Sequence, residues 1–160
     1  MMEDKKKKLS MIVLSGDMDK LIAAFIIATG AASINMDVTM FFTFWGLRAI
    51  KKPVKTGKSF FGKMIGLMYG GDIKKAGPSK FNFYGMGRWM FNKMMASKGV
   101  MSLYEFRKLA TELGVKMYPC QMSMDVMEID KQDFIDEAEG SVGVGFFISE
   151  ALESQITLFI

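Results

Sequence analysis

Short apolar runs that end in turn residues, each followed by a stretch of helical length, constrain this chain more than any other feature. Lys8–Ser15 is apolar and closes on Ser15, Gly16 and Asp17. Met18–Thr29 then continues with helical character, and Asp17 stands where an N-cap belongs. Asp37–Thr43 is β-branched and aromatic, and its unbroken apolar character fits a buried parallel strand. Farther on, Ser102 and Glu105 have the spacing of a capping box. Leu103, Phe106, Leu109, Ala110 and Leu113 form the stripe of an amphipathic helix that stops at Gly114. Val115–Tyr118 reads as a strand, Gln121–Val126 as the start of a helix, Asp130–Ala138 as a span containing a further short helix, Val142–Val144 as a strand, Phe146–Ser154 as a helix and Gln155–Ile160 as a last strand. Strands alternating with helices predict an α/β fold: a doubly wound, mainly parallel five-stranded sheet in three α/β/α layers, residues 1–160 forming one domain.

Composition narrows the chemistry. The chain has 160 residues, one cysteine and no histidine. It is long enough to bury a core without a disulfide or structural metal. One cysteine cannot pair internally, and a Cys–His catalytic pair cannot be assembled. No metal site and no cofactor are expected, since neither cysteine-rich nor histidine ligand sets exist and the acids match no calcium loop. A single unpaired thiol fits a reducing compartment, so a cytoplasmic protein is expected. Met11–Leu14 is too short for a signal-peptide core. Leu21–Ala32 falls short of the roughly 20 residues that span a bilayer, and it reads as a core helix.

The modest net charge of +4 conceals a split. Residues 46–99 carry twelve Lys and Arg against one acid, Asp72, which makes +11; the remainder, with nine basic residues and sixteen acids, makes −7. This segment, interleaved with Phe, Trp, Met and Gly, reads as a basic insertion after the second strand, with one or two short amphipathic helices, one over Met86–Met95. Its lysines are ordinarily solvated surface. They also suit docking of an acidic partner or peripheral contact with an anionic membrane. Nucleic acid ranks lower because no recognition motif accompanies the charge, and neither Lys55–Ser59 nor Gly71–Lys80 has the Walker A order. Methionine is abundant, with 17 residues, more than half of them between Met86 and Met127. It suits adaptable packing or a soft binding surface.

Cys120 is the candidate catalytic residue. It follows Pro119 at the carboxyl end of a strand and precedes Gln121 at the start of a helix, where ligands of open α/β sheets bind and where helix amides stabilise negative charge. Proline ends the sheet ladder just before the thiol. Free cysteines are commonly buried and inert, so the position carries the functional reading. With one thiol, an internal dithiol cycle is excluded, whereas accepting sulfur and passing it on is not. Supporting pocket residues are Ser15 and Gly16 at the first strand end, Thr43, Phe44 and Trp45 at the second, Pro119 and Gln121 beside the thiol, and Gly143 and Gly145 near the fourth strand.

The segments VLSGDMDKLIAAFIIATGAASINMDVTMFFTFWG, GVKMYPCQMSMDVMEI and VGVGFFISEALESQITLFI resemble the DsrE/DsrF/DsrH-like sulfur-relay family, in particular its peroxiredoxin-like branch with a long insertion. The resemblance implies a doubly wound sheet and a homo-oligomer, a trimer or hexamer. It also implies a cysteine, here Cys120, that carries sulfur as a persulfide or thiosulfonate, with TusA-like carriers or heterodisulfide-reductase-like proteins as partners. Whether such a chain turns over as a sulfurtransferase or serves as a carrier stays open. The competing reading is a non-enzymatic oligomeric scaffold that recruits a partner through the insertion.

Overall fold

The computed structural model describes residues 6–160; residues 1–5, which begin the charged N-terminal stretch, lie outside the described residues. Four strands, β1 (Lys8–Val13), β2 (Asp37–Phe42), β3 (Lys116–Pro119) and β4 (Ile156–Phe159), form one sheet in the order β3-β2-β1-β4. Every neighbouring pair is parallel. Among the described residues the six α-helices are α1 (Met18–Ser33), α2 (Phe60–Met68), α3 (Met86–Ser97), α4 (Leu103–Glu112), α5 (Gln121–Met127) and α6 (Val144–Leu152), with a 3-10 helix over Phe44–Ile50. The chain steps from β1 outward to β2 and β3, then returns across β1 to β4. Right-handed crossovers therefore put α1 and α4 on one face and α6 on the other.

The expected five-stranded sheet is corrected to four. Val142–Val144 does not form a strand; Val142 alone makes a parallel bridge, to Cys120. Pairing cannot lengthen on either side, because β3 gives way to α5 at Gln121 and the segment itself enters α6 at Val144 behind its N-cap Gly143. The short helix expected within Asp130–Ala138 is a single 3-10 turn at Lys131–Asp133. The backbone beyond it is used in pairing instead: Phe134 bridges Lys51 antiparallel, and the Ile135 amide donates to the Ile50 carbonyl at 2.9 Å.

Side-chain alternation divides the strands. Leu9, Met11 and Val13 of β1 and Val38, Met40 and Phe42 of β2 join Leu21, Phe25 and Ala28 of α1 and Phe106 and Ala110 of α4 in the main core. Each fully buried Leu, Phe or Met there contributes about 1.5–3 kcal/mol relative to exposure. The capping box that starts α4 is present: the Ser102 hydroxyl accepts from the Glu105 amide at 3.3 Å, and the Glu105 carboxylate accepts from the Ser102 amide at 2.6 Å. Donation from the Ser102 amide, and from the Ser102 hydroxyl at 2.7 Å, holds the Glu105 carboxyl below its ordinary range. Asp17 is the N-cap residue of α1, but its side chain makes no capping bond and pairs with Lys20 at 2.9 Å instead.

The basic insertion is anchored rather than appended. Leu47, Ala49, Ile50, Ile73 and Ala76 from it are part of the main core. Ser59 caps α2 by accepting from the Gly62 amide at 3.0 Å. Several acids that follow the cysteine tie the insertion down. The Glu128 carboxylate accepts from the amides of Lys58 and Ser59, Asp130 pairs with Lys58 at 2.8 Å, and Asp136 pairs with Lys52 at 2.8 Å. The −7 and +11 parts of the chain thus meet partly within the molecule.

Candidate functional site

Cys120 is the N-cap residue of α5, with φ −75° and ψ 119°. The chain is held there from both neighbours. The Cys120 amide donates to the Phe42 carbonyl at 2.8 Å, the Gln121 amide to the Val142 carbonyl at 3.0 Å, and the Val142 amide to the Pro119 carbonyl at 3.0 Å. The Cys120 carbonyl accepts from the Met124 amide at 3.0 Å, closing the first turn of α5. The side chain makes no capping bond. The residue is 5% exposed and lies in a small second core with Phe41 and Phe147. These two rings stack at 5.6 Å, and Ile12, Tyr118, Val142 and Ala151 pack around the group. The thiol thus sits under α6, not in the main core. What closes it in is one helix and the segment leading into it.

The named supporting residues fall into two groups. Around the cysteine stand Pro119, buried at the end of β3, and Gln121, exposed on the first turn of α5. The Gln121 amide group donates to Asp125 at 2.8 Å and accepts from the Ser141 hydroxyl at 2.5 Å, which ties α5 to the segment before α6. Thr43 joins them through a 2.7 Å hydrogen bond between its hydroxyl and that of the fully buried Ser123. Gly143 and Gly145 open α6, and a Cβ built at either meets nothing within 4 Å, so no protein atom relies on their smallness.

The second group lies over the end of β1. The Ser15 hydroxyl accepts from the Asp17 amide at 3.1 Å. Gly16 is packed so closely that a Cβ would fall 1.9 Å from the Tyr69 hydroxyl and 2.5 Å from the Trp45 carbonyl. Phe44 turns the chain out of β2 at φ 45°, a conformation that non-glycine residues adopt at a cost on the order of 1 kcal/mol or more. Trp45 meets Tyr69 edge-on at 4.7 Å, and the Arg48 guanidinium lies 3.6 Å above the Tyr69 ring. Tyr69, Arg48 and Lys51 of the insertion were not among the residues singled out from sequence, nor were Ser123, Phe41 and Phe147. For the aromatic pair the signal was present in the alternation of β2, which puts Phe41 opposite Met40 and Phe42. For Tyr69 no local signal existed.

The family model described as DsrE/DsrF/DrsH-like matches residues 5–159. The chain belongs to this sulfur-relay family. Relatives extend along the whole DsrE-like chain, insertion included. It is 39% identical over 163 residues to a Bacillus subtilis (strain 168) protein named uncharacterized protein YrkE, covering 99% of this chain and 100% of that one. It is 34% identical over 169 residues to the sulfur carrier protein DsrE2 of Allochromatium vinosum, covering 97% and 99%. Two solved structures share the fold. The ychN protein of E. coli superposes with TM-score 0.56 at 12% identity over 96% of this chain and 99% of that one. Protein MTH1491 of Methanobacterium thermoautotrophicum does so with TM-score 0.56 at 9% identity over 97% and 100%. Among the described residues, no helix is long and apolar enough to cross a membrane.

Proposed function

We propose that this DsrE-like protein relays sulfur through Cys120. The observation that carries the reading is the seat of the chain's single thiol: at a strand's carboxyl end, at the start of a helix, beneath one thin layer. A donor that already bears sulfur as a persulfide or thiosulfonate supplies it. The Cys120 thiolate attacks the transferable sulfur, the donor's S–S bond breaks, and the donor cysteine departs as a thiolate. The acceptor's thiolate repeats the same exchange on Cys120, so no net oxidant or reductant is consumed. Because Cys120 is nearly covered, transfer requires the segment from Gly140 to Gly145 and the start of α6 to move aside. A Cβ built at Gly143 or Gly145 meets nothing within 4 Å, so no neighbouring atom packs against these glycines on that side. TusA-like carriers and heterodisulfide-reductase-like proteins are the partners proposed, in the cytoplasm.

Intact-mass measurement after incubation with a protein persulfide tests the reading. The expected result is one added sulfur on the wild type and none on Cys120→Ser. A wild-type thiol that accepts no sulfur, and resists small alkylating agents in the folded state, overturns it.

Self-association belongs to the same proposal. Val144, Ile148 and Leu152 form an i, i+4, i+8 ridge along α6 and are all exposed, Leu152 by 84%, and exposed Phe159 of the edge strand β4 is on the same face of the sheet. A trimer or hexamer that covers this ridge also completes the layer above Cys120. Sedimentation of the wild type is expected to give the oligomer, and Leu152→Lys a smaller species; a monomeric wild type removes this part of the reading.

A second reading is favoured by the insertion surface. Phe60, Phe61, Leu67 and Met68 of α2 and Trp89 of α3 are exposed, Phe60 by 78%, among Lys55, Lys63 and Lys93. Apolar anchors within a basic field suit an anionic bilayer surface. Sedimentation with phosphatidylglycerol vesicles, but not with phosphatidylcholine vesicles, is the expected result; no binding to either rejects it.

A further inference from the structure

A buried lysine and a half-buried arginine lie close together with no ion pair to a described carboxylate. Lys51 is only 4% exposed, and its ammonium has one contact, a long 3.5 Å hydrogen bond to the Thr56 hydroxyl. Arg48 donates through Nη2 to the carbonyl oxygens of Tyr69 at 2.8 Å and Gly70 at 3.5 Å, while its buried Nε has no partner. Neither forms an ion pair with a described carboxylate; Asp133 and Asp72 act on Lys51, and Asp17 and Asp72 on Arg48, only through space. A buried charge is ordinarily paired or neutralised. Arg48, Lys51 and Thr56 line one cavity of about 20 Å³, with Phe44, Ile65, Met127 and Ile129 among the apolar walls. That volume admits one water-sized occupant, since roughly 10–15 Å³ is the least that holds a water.

We propose that this cavity is a binding site for a small inorganic monoanion of halide or hydrosulfide size, held by the Lys51 ammonium, the Arg48 Nε–H and the Thr56 hydroxyl. No acid lines the cavity, and its aliphatic and aromatic walls lower the local dielectric, which strengthens an ion pair. Burial pulls the Lys51 ammonium below its ordinary range, and the neighbouring Arg48 pulls it further. An anion between the two relieves both effects. The size of the cavity favours a single-centre ion over a tetrahedral oxyanion. The site does not depend on the sulfur-relay reading, and Cys120→Ser is expected to retain it.

Trp45 lines the same cavity, and Trp89 is the one other tryptophan, so full-length Trp89→Phe protein reports on the site alone. Titration with sodium bromide against sodium gluconate at constant ionic strength is expected to show a saturable quenching component. It should disappear in Lys51→Met and in Arg48→Met. Lys51→Met removes a buried cation while keeping the side-chain length, so it is expected to fold. Linear quenching that is identical in the parent and in Lys51→Met overturns the proposal. Bromide anomalous scattering from crystals of the wild type gives a measurement independent of any variant: a peak between Lys51 Nζ and Arg48 Nε supports the site, and water alone there overturns it. Displacement of bromide by sodium hydrosulfide under anaerobic conditions assigns hydrosulfide as ligand; retention of bromide assigns the site to halide.

Discussion

The two faces of the sheet are built to different thickness. Over one lie α1 and α4, with Met11, Val13, Leu21, Phe25, Met40 and Phe42 all fully buried among them. Over the other lies α6, whose buried apolar contribution is Phe147 set against Phe41 and Cys120. The polar residues of β1 and β2 face this thinner side. Ser10 shares a 2.8 Å hydrogen bond with Ser154, and the Thr39 hydroxyl donates to Glu150 at 3.2 Å. One face holds most of the buried apolar side chains, and the other covers the Cys120 thiol with a thinner layer. Local opening free energies follow this kind of contrast, being smallest where few apolar contacts hold an element.

Substitutions can break the contrast. Phe42→Ala on the thick face is expected to lower unfolding free energy by about 3–5 kcal/mol in urea denaturation. Phe147→Ala on the thin face is expected to cost clearly less; equal costs would show that the faces are energetically alike. Phe147→Ala should also expose the thiol. Its alkylation in the folded protein is expected to rise about tenfold for each ~1.4 kcal/mol of local opening gained, whereas a peripheral change on the thick face leaves the rate unchanged. Ser102→Ala removes the cap of α4 and is expected to cost about 1 kcal/mol without altering thiol reactivity; a faster reaction would mean that the faces are coupled.

Acid should act on the insertion with the smallest effect. The Glu128 carboxyl is held below its ordinary range by the Ser59 side chain first and the Lys58 and Ser59 amides next, and that of Asp136 by Lys52. Their contribution is present above the unfolded-state pKa and is lost as pH falls through the lower folded-state value. Amide exchange in α2, followed as pH falls through and below the carboxylate range, is expected to accelerate while α1 and α4 stay protected. Loss of protection as pH rises from that range toward neutrality would contradict this assignment.

Local signals were legible where they sufficed. β1, β2, the cap at Ser102 and the stop at Gly114 follow from spacing and residue type, as does the place of Cys120 between strand and helix. The fifth strand was misread because Val142 and Val144 have β propensity, yet Gly143 between them is the N-cap of α6 and β3 offers no further partner beyond Cys120. The short helix read within Asp130–Ala138 stops after one 3-10 turn, because Phe134 pairs with Lys51 across the fold. The acids after Cys120 could be counted but not paired, since Glu128 finds Lys58 and Ser59 across about seventy residues of chain.

The Glu128 clamp has a mechanical meaning. Glu128 is the C-cap residue of α5, and Cys120 is its N-cap. Seven helical residues, about 10 Å of stiff rod, connect the point where the insertion is fastened to the thiol. The fastening point of the insertion and the thiol are thus the two ends of one short rod, and a displacement of either end is shared with the other.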